Sequence, residues 1–351
     1  MIKYLGSKRS LVPVIGEIAE RVGARTAVDL FTGTTRVAQE FKRRGIAVTA
    51  TDVATYSHVL SDCYIATDAS AVDAHELDEE LRRLSALPGK RGYFTRTFCE
   101  EARFFQPKNG ARVDAIRDVL EDEHRGTPLF PILLTSLMLA ADRVDSTTGL
   151  QMAYLKEWAP RAFQDLELRA PELLPGPGHT IAGDAVETIG RLPPVDLIYL
   201  DPPYNQHRYF TNYHIWETLV RWDEPEVYGV ARKRVDARDE ATKSVFNNKR
   251  LMPAALADLL HRANADVVVV SYNDESWVPP EQIAGTLREA GHQDVRMLGF
   301  DSKRYVGAQI GIFNPSGQKV GQVSRLRNTE YLFVAGPTAK VEAAVGASPD
   351  E

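Results

Sequence analysis

Asp201, Pro202, Pro203 and Tyr204 follow directly on the apolar run Val195, Leu197, Ile198, Tyr199 and Leu200. Such a run reads as a buried strand. Two successive prolines end it, because neither donates to a ladder and each fixes its own φ. The product is a rigid elbow at the carboxyl end of a strand. It carries a carboxylate, an aromatic ring and backbone carbonyls with no partner inside the elbow. Those groups suit the holding of a planar ring that bears an amine. The exocyclic amine of adenine is a poor nucleophile, since its lone pair is delocalised into the ring. A carboxylate and a carbonyl that each accept one of its hydrogens favour a more pyramidal nitrogen, and a stacked ring fixes the angle of attack. The plainer reading is an ordinary proline turn, and the rest of the chain decides between the two.

Upstream, Ala27-Val28-Asp29-Leu30-Phe31 reads as a short strand leading into Thr32-Gly33-Thr34-Thr35 and a helix with Val37, Ala38 and Phe41 on one face. Strand, tight glycine turn and helix N-terminus make a nucleotide cradle. Val48 to Asp52 reads as a second strand ending in a carboxylate, placed to accept ribose hydroxyls. The G-x-G-x-x-G fingerprint is absent, so a dinucleotide's pyrophosphate is not supported, and a nucleoside without phosphates fits better. Before these, Lys3-Tyr4-Leu5-Gly6-Ser7-Lys8 sets a glycine among aromatic and basic residues, ahead of an amphipathic helix with Leu11, Ile15 and Ile18. Such a segment can bind a carboxylate, or can be merely a solvated start.

In this order the three pieces resemble the alpha-class, Dam-like adenine-N(6) DNA methyltransferases: Tyr4-x-Gly6-x-Lys8, Asp29-x-Phe31-x-Gly33 and Asp201-Pro202-Pro203-Tyr204. The stretches Asp201 to Trp222, Asp142 to Lys156 and Asn328 to Val334 are similar to the modification methylases of type IIS restriction systems, of the FokI kind. The resemblance spans most of residues 1–335. It departs at Thr35, where the family usually has a second glycine.

The resemblance implies S-adenosylmethionine as cofactor. Tyr4, Gly6 and Lys8 would hold its methionine end with Phe31 and Gly33, Asp52 would take its ribose, and Asp29 would be a further cofactor-binding residue. Asp184 lies where the family often meets the cofactor's adenine; it reads equally as a helix N-cap. Asp201 would serve both the cofactor side and the target amine, which it would hold with the Pro202 carbonyl, Pro203 completing the elbow, and Tyr204 would stack on the base. The implied reaction is methylation of N(6) on an adenine flipped out of duplex DNA. The alternatives are cytosine-N(4) methylation, an RNA substrate, or a DNA-binding protein with a decayed site. Double-stranded DNA is the implied partner, with a cognate restriction endonuclease as an open second one and the protein itself a monomer or weak dimer.

Composition sets bounds. A chain of 351 residues with 44% apolar residues can hold a core domain and a substantial second region. Cys63 and Cys99 form no metal-ligand spacing, and neither a disulfide framework nor a metal site is expected. No signal core or spanning segment is read, so a cytoplasmic protein is expected. The net charge of −6 hides asymmetry: Ser302 to Thr329 has no acid and five bases, Lys303, Arg304, Lys319, Arg325 and Arg327. That stretch reads as a phosphate-contacting hairpin. Arg208 and Tyr209, just after the elbow, interleave a base with aromatics and would grip DNA over the site's mouth.

Strands are expected near 27–31, 48–52, 179–182, 195–200, 266–272, 293–298 and 330–334. Helices near 9–22, 35–44, 251–263 and 280–290 would cover them. This is an α/β, doubly wound, mostly parallel sheet, the Rossmann-like fold of S-adenosylmethionine-dependent methyltransferases. Residues 1–64 and 178–335 would make the catalytic domain. Residues 65–177 would form a helical insertion that reads the DNA target, with Ser146, Thr147 and Lys156 as contacts. Residues 336–351 are expected to be a disordered tail.

Overall fold

The computed structural model describes residues 2–4, 8–147, 149–203, 208–303 and 327–345. Seven strands form one sheet: β1 (Thr26–Asp29), β2 (Ala47–Asp52), β3 (Gly178–Ala182), β4 (Val195–Leu200), β7 (Ala265–Asn273), β8 (Asp294–Lys303) and β9 (Arg327–Gly336). Two short strands, β5 (Val227–Tyr228) and β6 (Lys233–Arg234), pair separately as a hairpin. The sheet order is β3-β2-β1-β4-β7-β9-β8. The first five strands in that order run parallel, while β9 is antiparallel to both β7 and β8. The fold is therefore the doubly wound, mostly parallel one expected.

The middle of β7 is a continuous apolar run, Val267 to Val270, because both sheet faces are covered there. Val267 and Val269 of β7 enter one core layer, and Val268 and Val270 the other. All four are fully buried, and each burial is worth about 1.5–3 kcal/mol. Helices α1 (Val12–Arg21), α2 (Arg36–Arg43) and α3 (Thr55–Ser61) pack on the first face. The helices Met252–Arg262 and Pro280–Glu289 pack on the second. The order reverses between β1 and β4, which leaves a crevice at their carboxyl ends.

Residues 53–177 depart from the simple wound fold. They hold the helices Ala74–Ala86, Pro107–Val119 and Phe130–Arg143, and their apolar faces join the same core as α1 and α2. The insertion is also bolted to the segment that follows the elbow. The fully buried Arg117 donates to the carbonyls of Leu219 (2.8 Å) and Val220 (3.0 Å), at the end of the helix His214–Arg221. A cation there meets the negative end of the helix dipole.

The tail corrects an expectation. Residues 338–345 are a helix, with Val341 and Ala344 buried. The small residues there fit against α1, where Arg21 donates to the Ala344 carbonyl, and Lys340 pairs with Asp266 at 2.8 Å.

The turn after β1 stores strain. Thr35 sits at φ 63° and is fully buried. A β-branched residue in the left-handed region costs on the order of 1–3 kcal/mol. Its hydroxyl offsets part of this, donating to the Thr34 carbonyl (2.7 Å) and accepting from Gln39 Nε2 (2.7 Å). We expect Thr35→Gly to be more stable than Thr35→Ala by roughly 1 kcal/mol, because both lose the hydroxyl's bonds and only alanine keeps the strain. Urea unfolding of the two variants checks this; alanine the more stable would refute the strain.

Candidate active site

Each of β1, β2, β3 and β4 delivers a carboxylate at or just beyond its carboxyl end: Asp29, Asp52, Asp184 and Asp201. All four line one cavity of about 250 Å³. Tyr4, Lys8, Phe31, Gly33 and Pro203 line it too. The structure thus brings together the sequence-predicted cofactor and elbow residues that it describes. Gly6 and Tyr204 lie outside the described residues, and Pro202 is buried in the elbow.

The glycine turn is held from several sides. The Gly33 N–H donates to Asp52 Oδ2 at 2.8 Å, and its carbonyl accepts from Ser57 Oγ at 2.6 Å. A Cβ at Gly33 would lie 3.2 Å from the Tyr4 ring, and φ is +52°, so a side chain there would be both crowded and strained. Tyr4 stacks on Tyr213 (4.7 Å, 17°) and Tyr209 (5.3 Å, 21°). Asp52 Oδ1 also accepts from the Ala54 N–H at 3.0 Å. Asp184 accepts from the Val186 N–H at 2.8 Å and so caps the helix Ala185–Ile189, and it also lines the cavity.

Asp29 is 1% exposed. Its Oδ2 accepts from Thr32 Oγ1 (3.0 Å) and the Ala38 N–H (3.1 Å), while Oδ1 is buried with no partner among the described residues. Burial pushes its pKa up to about 7; the Thr32 bond opposes this and the Asp201 charge adds to it. Burial also raises Asp52. Arg36, at the start of α2, lines the same cavity, and its buried Nε has no partner among the described residues. Sequence reasoning passed over Arg36. A cation in the first turn of a helix opposes the dipole, and that conflict was the signal available.

Lys8 is the buried cation of the site, 7% exposed. Its Nζ lies 3.1 Å from Asp201 Oδ1 and 3.3 Å from Glu330 Oε2. Lys8 therefore holds the elbow carboxylate rather than only the end of a ligand. Burial drives Asp201 up to about 6, with Lys8 pulling down and Glu330 pushing up. Glu330, within Asn328 to Val334, is a site residue that nothing in its local sequence distinguishes.

Several expected DNA contacts find other places. Ser146 is fully buried and Thr147 is 3% exposed. Ser146 Oγ accepts from the Ala159 N–H (3.1 Å), and Thr147 Oγ1 bonds Asp145 (2.6 Å). These two hydroxyls build the loop, which a polar run in sequence does not distinguish from a contact surface. The Tyr209 ring belongs to the tyrosine cluster at the cavity wall, whereas Arg208 and Lys156 are exposed. The backbone of Lys303 pairs with Arg327 at the end of the β8–β9 ladder, and the rest of the expected hairpin lies outside the described residues. Arg304, Lys319 and Arg325 lie outside the described residues. Among the described residues no group of three His, Cys, Asp or Glu could hold a metal ion, and no helix is long and apolar enough to cross a membrane.

A Rossmann-like sheet, a ring of carboxylates at its strand ends and an Asp-Pro-Pro elbow beside them define a methyltransferase. The sequence profile of the D12 class N6 adenine-specific DNA methyltransferases matches residues 4–285. The chain is 28% identical over 310 residues to the type II methyltransferase M.NlaIII of Neisseria lactamica, covering 84% of this chain and 90% of that protein. It is 30% identical over 312 residues to the type II methyltransferase M.FokI of Planomicrobium okeanokoites, covering 83% of this chain and 47% of that protein. The modification methylase StsI of Streptococcus sanguinis is 28% identical over 306 residues, covering 82% and 46%. The chain thus spans about half the length of these last two. It belongs to the D12 class N6 adenine-specific DNA methyltransferase family, and its reaction is methylation of adenine in DNA rather than of cytosine.

The carboxylate cluster makes apo stability depend on pH. Asp29, at about 7 when folded, stands above its ordinary unfolded value of about 3.9. The folded state then binds more protons, and stability falls as pH rises between about 4 and 7. We expect Asp29→Asn, which keeps an acceptor for Ala38, to gain on wild type by a few kcal/mol across that window. Denaturant unfolding at pH 5 and pH 8 measures it; a difference independent of pH would contradict the assigned burial.

Proposed function

We propose that the cavity binds S-adenosylmethionine and that Asp201, held by Lys8, positions the N(6) amine of an adenine turned out of duplex DNA. The observation that carries the reading is the pairing of unmet groups. Asp29 Oδ1 is a buried acceptor and Arg36 Nε a buried donor, both without partners among the described residues of one cavity. An amino acid's ammonium and carboxylate would satisfy both. Asp52 at the end of β2 suits the ribose hydroxyls, and the exposed Val53 beside it offers an apolar face to a base. When bound, the cofactor supplies an activated methyl group on a cationic sulfur.

The rest is done by this chain's residues. Asp201 keeps 20% of its side chain exposed at the cavity and so remains reachable by a substrate. As a carboxylate it accepts one amine hydrogen, and the Pro202 carbonyl would accept the other. Lys8 keeps that carboxylate ionised in a buried setting and fixes its direction. No strong base is required, because the departing proton leaves after the bond forms. The carboxylates Asp29, Asp52 and Asp201 converge intact on the cavity, which supports an active rather than a decayed site. A restriction endonuclease with the same target sequence would be the natural companion.

Two expectations follow. The rate should fall about tenfold per pH unit below about 6, as Asp201 protonates. Removing the Lys8 charge (Lys8→Gln) should move that limb to higher pH, and Glu330→Gln should move it lower, since the two charges act on Asp201 in opposite senses. Methyl transfer to DNA followed against pH for the three proteins checks this; a limb that stays put in both variants would contradict it. Arg36→Gln should weaken cofactor binding about tenfold or more by calorimetry, the loss of a charge-assisted bond; unchanged affinity would remove Arg36 from the site.

A further inference from the structure

A second, more open cavity of about 550 Å³ adjoins the first. Arg208, Thr211, Asn212, Tyr228, Arg238 and Lys243 line it, and Lys243 lines both cavities. The Arg238 guanidinium lies 3.8 Å from the centre of the Tyr228 ring, on the hairpin of β5 and β6. Lys243 pairs with Glu240, which stands exposed on the rim. Three cations against that one carboxylate favour an anion.

Asn212 is a buried polar member of the groove's lining. It is 5% exposed, and its amide Nδ2 is buried without a partner among the described residues. Its backbone is fixed: its N–H donates to the Arg208 carbonyl and its carbonyl accepts from the Gln151 N–H, both at 2.9 Å. Buried amide donors in folded proteins are nearly always satisfied. One without a partner among the described residues, on a residue that lines a cationic groove, points to an acceptor brought by a ligand. A phosphodiester supplies both the negative charge and the acceptor oxygens.

We propose that this groove holds the nucleotide flanking the target adenine, with its phosphate among Arg208, Arg238 and Lys243 and its oxygens accepting from Asn212. The assignment rests on the methyltransferase reading. Because Lys243 belongs to both cavities, a phosphate seated here lies beside the base that enters the first. The groove thus anchors the backbone at the point where the base leaves the stack, and it leaves cofactor binding untouched.

The test uses the full chain and a duplex carrying its mapped target, with binding read by fluorescence anisotropy across a salt series. Asn212→Asp, which keeps the shape but removes the donor and sets a carboxylate against phosphate, should weaken duplex binding at least tenfold. Arg238→Gln, an exposed substitution, should lower the slope of log affinity against log salt by about 0.9, the loss of one phosphate contact. Both should bind cofactor as wild type does. A single neutral methylphosphonate beside the target should weaken wild type, and should weaken Arg238→Gln less. If wild type methylates the duplex and both variants match its affinity and slope, the groove assignment is overturned and the function stands. If wild type neither binds nor methylates the duplex, the function falls and the groove with it.

Discussion

The site depends on one buried ion pair, Lys8 with Asp201. Moving two charges out of water is expensive, and attraction offsets this only with good geometry and further partners. The fold supplies those at long range. Lys8 precedes α1, Asp201 ends β4, and Glu330, the lysine's second carboxylate, comes from β9, which runs against β7. Asp201 still sits at about 6. It is ionised near neutrality with little to spare, which leaves it able to accept an amine hydrogen while remaining a weak base.

The surroundings trade stability for binding. Among the described residues Asp29 is buried with one oxygen unmet and Arg36 has a buried donor unmet, and Thr35 is held in a left-handed turn. Each is a local conflict, and conflicts gathered at one crevice mark a place shaped for a ligand. The insertion stiffens the same region from outside. Arg117 caps the helix that follows the elbow, and Lys3 bonds Asp142 and Asp145 of the insertion, which anchors the segment leading to Tyr4.

Much of this was legible in the sequence. The strands were, because buried parallel strands read as continuous apolar runs and their ends as turn residues; β4 begins and ends where Val195 and Leu200 indicated. The four carboxylates at strand ends were legible for the same reason. Partners set by distant chain were not. Lys8 and Glu330 are 322 positions apart, and no local pattern joins them. Ser146 and Thr147 look like surface hydroxyls until the loop closes over them. The tail helix 338–345 is too small and polar to announce itself, and it exists because α1 offers a surface to cover. Asn212 gives no signal at all until its burial is seen.

The central claim is that this crevice methylates adenine through Asp201. The most direct measurement is single-base detection of modified bases in DNA from cells expressing wild type or Asp201→Asn, a substitution that nearly preserves shape and removes the charge. The account predicts methyladenine at every copy of one short motif with wild type and none with the variant, whose purified form still binds cofactor. Methyladenine at the same motif from Asp201→Asn at wild-type level would contradict it, as would modification of cytosine by wild type.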